Sequence, residues 1–486
     1  MTVDLVGRES ARRTPPTRPL LSLPLSVPLI GLIVGGLPLF VAAQPGEGTR
    51  DTAFWLQLAV ACYAGVRLCA MVLSGRRRLV QGAFWLFCYL AMGIAPLAQS
   101  VLGRDPTPVL GPRSDTLLAT VLVLSGMVAF DVGALLARHR PSLRSRRRPA
   151  ASVHRWRLYV LVAFAYVAST AFILRVGGPD VFFTSREGIS DSLSDATGAE
   201  TGEASNALLR GFGTVPALLA LLFLTRWLVT SRHARQRPSV VLPWVGLLVL
   251  NAIVNNPISN PRYWFLTVLF ALLFTVFPRS PVMYRAALAL GVVIALLVFP
   301  FSDRFRYDEQ GQRPMETGSL LEPLVVKDYD QVNMFANTIT YVADGNGHSY
   351  GEQLTGAVLF FVPRSMWEAK PEDTGFVVGG WMGTDSPNLS SPLWAELWLD
   401  FGSAGMLAGF LVVGYLAART DRRYVQRTVD DPSPGNVLAV VAPVLAGYSF
   451  ILLRGSLLQA SGRIGIALIC LALVTTFRQD SGSRLT

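Results

Sequence analysis

Apolar residues along this chain gather into long runs, most of them near the roughly 20 residues that a helix needs to cross a hydrocarbon core. Twelve runs predict spanning helices, over 20–43, 53–73, 79–101, 116–137, 158–175, 207–230, 240–255, 263–277, 286–301, 402–419, 436–455 and 463–477. Two connections depart from this pattern. Residues 176–206 open on Gly177-Gly178-Pro179-Asp180 and run into a Ser/Asp/Gly/Glu-rich stretch at 189–206, whose composition suits a solvated loop. Residues 302–401 are too many for a turn. Within them Val332, Phe335, Ile339 and Val342 recur at helical spacing, predicting an amphipathic helix over 329–342 along a membrane surface. Leu354–Val362 is apolar but too short to span, which suits a re-entrant or interfacial piece. The expected fold is an all-α polytopic membrane protein of about twelve spans. Its order is a tail at 1–19, spans at 20–301, a large loop at 302–401, spans at 402–477 and a tail at 478–486.

Composition supports this reading. Of 486 residues 51% are hydrophobic and only 15% charged, with a mean hydropathy of +0.42, whereas soluble chains carry about 25% charged residues. The net charge of +11 suggests nucleic acid, yet its distribution follows the membrane. All but two of the 43 basic residues are arginine, the exceptions being Lys327 and Lys370. The arginines cluster at 8–18, 76–78, 138–155, 232–237, 279–285 and 422–427. Alternating twelve helices puts every cluster on one side, and basic connections mark the cytoplasm. Both termini are therefore expected to be cytoplasmic. The other side carries the acidic connections, with one arginine against six carboxylates in 176–206 and six basic residues against fifteen in 302–401. Cys62, Cys69, Cys88 and Cys470 lie inside apolar runs and read as small buried hydrophobes. The four histidines are scattered, which argues against a histidine-ligated metal. Walker, HExxH and GxSxG signatures are missing from the sequence.

The candidate chemistry lies on the expected external face. In Asn255-Asn256-Pro257-Ile258-Ser259-Asn260-Pro261-Arg262 two X-Pro steps force non-helical backbone at membrane depth, which is tolerated where it lines protein or a polar cavity. Arg262 then reads either as an interfacial arginine beside an aromatic belt or as a phosphate ligand, with Asn260 next to it. In Val362-Pro363-Arg364-Ser365-Met366-Trp367-Glu368-Ala369-Lys370-Pro371 the forked guanidinium of Arg364 and the point charge of Lys370 suit phosphate oxygens. Trp367 offers a flat face for a sugar, and the plainer alternative is a solvated loop touching headgroups. Glu396, in Trp394-Ala395-Glu396-Leu397-Trp398-Leu399-Asp400-Phe401-Gly402, is a costly carboxylate. It either pairs with Arg364 or Arg262 or accepts a proton from a sugar hydroxyl. Asp328-Tyr329-Asp330 has the spacing of a metal-binding pair but stands on the wrong side for nucleotide sugars. Arg186, Arg304, Arg306 and Arg463 face the same side, and Asp131 reads as paired with a nearby arginine.

The segments 362–371 and 394–402, with a long late external loop, resemble bacterial Wzy-type polysaccharide polymerases. The likeness covers the helix count and roughly 176–420, and is most specific at 328–402. Arg364 and Gly375 have the arginine–ten residues–glycine spacing seen in some members, while Arg186 reaches Gly198 across eleven residues. The resemblance implies a glycosyltransferase of the bacterial plasma membrane, related in fold to O-antigen ligases and the GT-C group. Such an enzyme moves a growing glycan from undecaprenyl diphosphate to the next lipid-linked repeat unit on the external face. It implies no cofactor, and partners limited to lipid-linked repeat units, membrane lipids, a flippase and a chain-length regulator, with no nucleic acid. On this reading Glu396 and Arg364 are catalytic, and Arg262, Arg364, Lys370, Trp367, Arg186, Arg306 and Asn260 bind the substrate or its diphosphate. Two alternatives remain, an O-antigen ligase-like transferase, for which His348 is the external histidine, and a transporter or flippase.

Overall fold

The computed structural model describes residues 23–139, 151–183, 203–294, 321–384 and 389–476. Among the described residues seven helices are long and apolar enough to cross a membrane: α2 (Thr52–Ser74), α3 (Leu79–Leu102), α4 (Arg113–Ala137), α5 (Arg155–Val176), α6 (Leu208–Thr230), α13 (Leu393–Asp430) and α15 (Leu457–Val474). Five shorter apolar helices accompany them: α1 (Val27–Ala43), α7 (Pro238–Val254), α8 (Arg262–Val276), α9 (Pro281–Val293) and α14 (Leu438–Arg454). Three more helices, α10 (Gln331–Tyr341), α11 (Glu352–Val358) and α12 (Thr374–Trp381), lie between α9 and α13. The described part of each apolar run read from the sequence thus falls on a helix, seven of them of spanning length. The protein is all-α and membrane-embedded in character. A two-stranded ribbon, Ser152–Val153 against Thr475–Thr476, ties the start of α5 to the end of α15.

The helices build two hydrophobic cores with a shared wall. One core gathers side chains of α2, α3, α4 and α13, the other those of α5, α6, α7 and α15. The wall is α8 against α14. Tyr263 and Phe450 face the first core, while Trp264 and Tyr448 face the second. In the first core α4 and α13 touch backbone to backbone. A Cβ at Gly133 would lie 2.0 Å from the Leu411 carbonyl oxygen, and one at Gly414 would lie 2.0 Å from that of Phe130. Small residues are what permit such approach between membrane helices. Asp131 is held by Arg67 at 2.6 Å and by the Tyr63 hydroxyl at 2.7 Å, the pairing expected of it.

The amphipathic helix expected over 329–342 is present as α10, but it is not laid on a surface. Gln331 through Thr340 are buried on every side. The reason is a second partner that the periodicity does not reveal, the connection between α3 and α4. Asn337 donates to the Pro108 carbonyl at 2.8 Å and accepts from Leu110 N–H at 2.9 Å. Asn333 donates to Asp105 at 2.7 Å, and Thr340 to Asp115 at 2.8 Å. The polar face of α10 is therefore bonded to protein and not to water.

Helix α13 is two helices joined at Gly402, whose φ of 63° and ψ of −168° suit only glycine. The first arm, Leu393–Asp400, is fully buried. Gly402→Ala should cost about 1–3 kcal/mol, the strain of a side chain in that region. A thermal-unfolding comparison in detergent checks this, with a lowered midpoint as the expected result.

Candidate functional site

The Asn/Pro turn before α8 satisfies itself. Asn256 accepts from the N–H groups of Ile258 and Ser259 at 2.9 and 2.7 Å. Asn260 donates to the carbonyls of Val254 and Asn256 at 2.8 and 3.2 Å. Asn255 accepts from the Trp264 indole at 2.7 Å. Asn260, a substrate-binding candidate by sequence, therefore spends its amide donors on the fold. This turn fixes where α8 begins, and so where Arg262 stands.

Arg262 meets Asp328 at 2.5 Å, and Arg454, the last residue of α14, meets the other oxygen of the same carboxylate at 3.2 Å. The Arg454 guanidinium also lies 5.5 Å from the centroid of Tyr263. Two guanidinium groups thus share one carboxylate at the end of the α8–α14 wall. On the other side of α8, Arg463 of α15 lies 4.6 Å from the centroid of Trp264, and Arg210 of α6 is close enough to it to repel. Four helices thus bring four arginines to one end of the bundle. Sequence reading found Arg262 and noted Arg463, but it missed Arg454 and Arg210, which sit inside runs counted as apolar. An arginine at the last turn of such a run, with Gly455-Ser456 following, is the available signal.

Below this cluster an apolar groove of about 150 Å³ runs between α3, α8 and α9. Its wall includes Leu86, Leu90, Leu266, Phe270, Ala287 and Gly291. Tyr263 and Tyr329 also line it, and they are the chain neighbours of Arg262 and Asp328. The apolar groove therefore comes close to the arginine cluster, with the Tyr263 hydroxyl 3.4 Å from the Asp328 carbonyl.

The other sequence candidates are placed differently. Lys370 is buried, and its ammonium donates to the carbonyls of Phe360 and Val362 at 2.7 and 2.9 Å, closing the loop on itself. Arg364 donates to the Lys370 carbonyl at 3.0 Å and faces Glu372 at 3.9 Å with half its side chain exposed. Trp367 is half-buried in the same loop. Glu396 pairs with neither Arg262 nor Arg364. It is 2% exposed, and Asp373, Asp400, Ser391 and Thr374 surround it. The carboxyl named from the sequence as a general base is thus closed off from solvent in this structure. Arg186, Arg304, Arg306 and Gly198 lie outside the described residues.

Asp328 and Asp330 do not act as a pair. While Asp328 takes two arginines, Asp330 is buried and takes the hydroxyls of Ser390 and Thr107. Among the described residues three or more His, Cys, Asp or Glu side chains do not converge as metal ligands. Burial pushes the Asp330 carboxyl above its ordinary value of 3.8, against the opposing pull of Arg454 and the two hydroxyls. The fold thus disfavours the charged form, and stability contributed here falls as pH rises from that ordinary value through the folded one. Asp330→Asn cannot ionise. Relative to it, the wild-type melting temperature should fall between pH 4 and pH 8, and parallel curves would contradict this.

A second cavity, of about 320 Å³, is lined by His348, Tyr350, Asp400, Phe401 and Gly402. His348 Nδ1 lies 3.2 Å from the Leu399 carbonyl, and its ring packs edge-on against Trp398. Asp400 accepts from Ser349 Oγ at 2.7 Å and from the N–H groups of Gln353 and Leu354 at 3.1 and 2.8 Å, capping α11.

The class defined by fold and site is an all-α membrane protein with a cationic cluster at the end of an apolar groove. No family model, curated protein or solved structure matches the chain.

Proposed function

We propose that this protein polymerises polysaccharide by transferring a growing glycan from undecaprenyl diphosphate to the next lipid-linked repeat unit. The observation that carries the reading is that Tyr263, on the wall of the apolar groove, reaches the Asp328 carbonyl at 3.4 Å, beside the Arg262–Asp328–Arg454 cluster. A polyprenyl diphosphate has the matching form, a long apolar tail ending in concentrated negative charge. Leu, Phe and Ala side chains of α3, α8 and α9 take the tail, and the two guanidinium groups take the diphosphate by two-point contacts.

In the reaction the bond from the sugar anomeric carbon to the diphosphate oxygen breaks, and its electron pair leaves with the lipid diphosphate. The acceptor hydroxyl oxygen forms the new glycosidic bond and releases its proton to solvent. Charge grows on the leaving diphosphate as the bond breaks, and fixed arginines stabilise that growth without reorganising. Asp328 keeps both guanidinium groups in place before substrate arrives.

On this reading all twelve apolar helices span the bacterial plasma membrane. Both termini are cytoplasmic and 302–401 is external, in keeping with the arginine clusters. A second reading, transfer to a different acceptor as in O-antigen ligases, has one supporting observation, His348 on the wall of its own external cavity. Purified protein given undecaprenyl-diphosphate-linked repeat units alone should produce a ladder of glycan lengths. A single transfer to an added acceptor, with no ladder, would favour the ligase. No transfer from well-folded protein would remove both readings.

A further inference from the structure

Four buried oxygen atoms without a hydrogen-bond partner gather at one place: Asp373 Oδ2, Thr374 Oγ1, Ser391 Oγ and Glu396 Oε1. The four residues are at most 6% exposed. The hydroxyls of Thr374 and Ser391 stand at hydrogen-bonding range of the Glu396 carboxyl, with Asp373 close by, but their angles are too poor for either to make a well-formed bond. Unsatisfied buried polar atoms each cost on the order of 1–3 kcal/mol, so four together call for an occupant.

Charge narrows the choice. Two carboxyl groups face one another, and among the described residues neither is paired with a lysine or arginine. Asp373 Oδ1 accepts from the Gly375 N–H at 2.9 Å, Oδ2 is without a hydrogen-bond partner in good geometry, and Ser456 and Gln459 stand beside the same carboxyl. The donor set is oxygen only, which excludes metals that prefer sulfur or imidazole. Two carboxylates and two hydroxyls suit a hard cation with flexible coordination, and a divalent ion balances both charges where a monovalent one leaves a buried negative charge.

We infer that Asp373, Thr374, Ser391 and Glu396 form a calcium site. It lies where three helices begin. Asp373 and Thr374 start α12, Ser391 and Glu396 start α13, and Asp373 also meets Ser456 and Gln459 at the start of α15. A cation here fastens the loop carrying Arg364 and Lys370 to the helix that carries Arg463. The role is structural and does not depend on the glycosyltransferase reading.

The test uses full-length protein in detergent, stripped with chelator and titrated with Tb³⁺, whose emission is sensitised by the neighbouring Trp394. Saturable emission with one ion per chain is expected, displaced by Ca²⁺ and not by equal K⁺, together with a Ca²⁺-dependent rise in melting temperature. Glu396→Gln and Asp373→Asn should abolish the emission, and Asp344→Asn, at an exposed carboxylate, should keep it. Ser391→Ala retains both charges and should weaken binding roughly tenfold, which covers the case where a carboxylate variant fails to fold. Folded wild-type protein giving no saturable emission, or emission unchanged in Glu396→Gln and Ser391→Ala, would overturn the assignment.

Discussion

Arg454→Ala should slow glycan extension about a hundredfold while leaving the protein folded. Removing a fixed cation from charge that develops in a transition state costs about 3 kcal/mol, which is that factor in rate. Arg262→Ala should act similarly, because each arginine holds one oxygen of Asp328. Arg454→Lys keeps the charge but loses the fork and the stack on Tyr263, so it should recover only part of the rate. Arg364→Ala should cost less, since that guanidinium is half exposed and one of its N–H groups is spent on a backbone carbonyl. This order reverses the one the sequence suggests, where Arg364 stands foremost. Arg104→Ala, which removes an exposed pair with Glu322, should change little. Rates from purified variants with matched melting temperatures decide the order, and an Arg364 effect larger than that of Arg454 would contradict it.

Filling the groove should produce the second large effect. Ala287 of α9 lies on its wall, and a phenylalanine there displaces an apolar chain segment. Losing about 100 Å² of apolar contact costs about 2.5 kcal/mol, or roughly sixtyfold in affinity. Ala287→Phe should therefore raise KM for undecaprenyl-linked substrate by that order and leave kcat nearly unchanged. A substrate on a two-isoprene lipid barely enters the groove, so its KM should hardly move. Equal losses for both substrates would mean that the substitution disturbs the fold and not the lipid.

The helices were legible because the bilayer imposes one rule on every span, a run of apolar residues. The described part of each run falls on a helix, seven of them long and apolar enough to span. Their ends were less legible. Gly402, which splits α13, gives no signal beyond being a glycine, since its backbone angles follow from how the buried arm Leu393–Asp400 packs. The burial of α10 depended on Asn333, Asn337 and Thr340 meeting the α3–α4 connection and the first turn of α4, more than two hundred residues earlier in the chain, and local periodicity carries no such information. The site behaved in the same way. Arg262 was recognisable from its Asn/Pro turn, whereas Arg454 became a candidate only when α14 was seen to end beside Asp328. Lys370 and Glu396 looked functional as rare charges in apolar surroundings. The fold uses the first to close a loop and seals the second among hydroxyls and carboxyls.

The central claim is that a lipid diphosphate lies with its tail in the groove of α3, α8 and α9 and its head on Arg262 and Arg454. It is tested most directly by photolabelling the full-length protein with a diazirine-bearing polyprenyl diphosphate and mapping the labelled peptides. The label should fall on the groove-lining stretches around Leu86–Ala91, Leu266–Leu273 and Ala287–Gly291. Excess undecaprenyl diphosphate should suppress it, an equal amount of undecaprenol should not, and it should drop at least tenfold in the Arg262→Ala/Arg454→Ala protein. Labelling confined to other helices, or unchanged when both arginines are removed, would contradict the account.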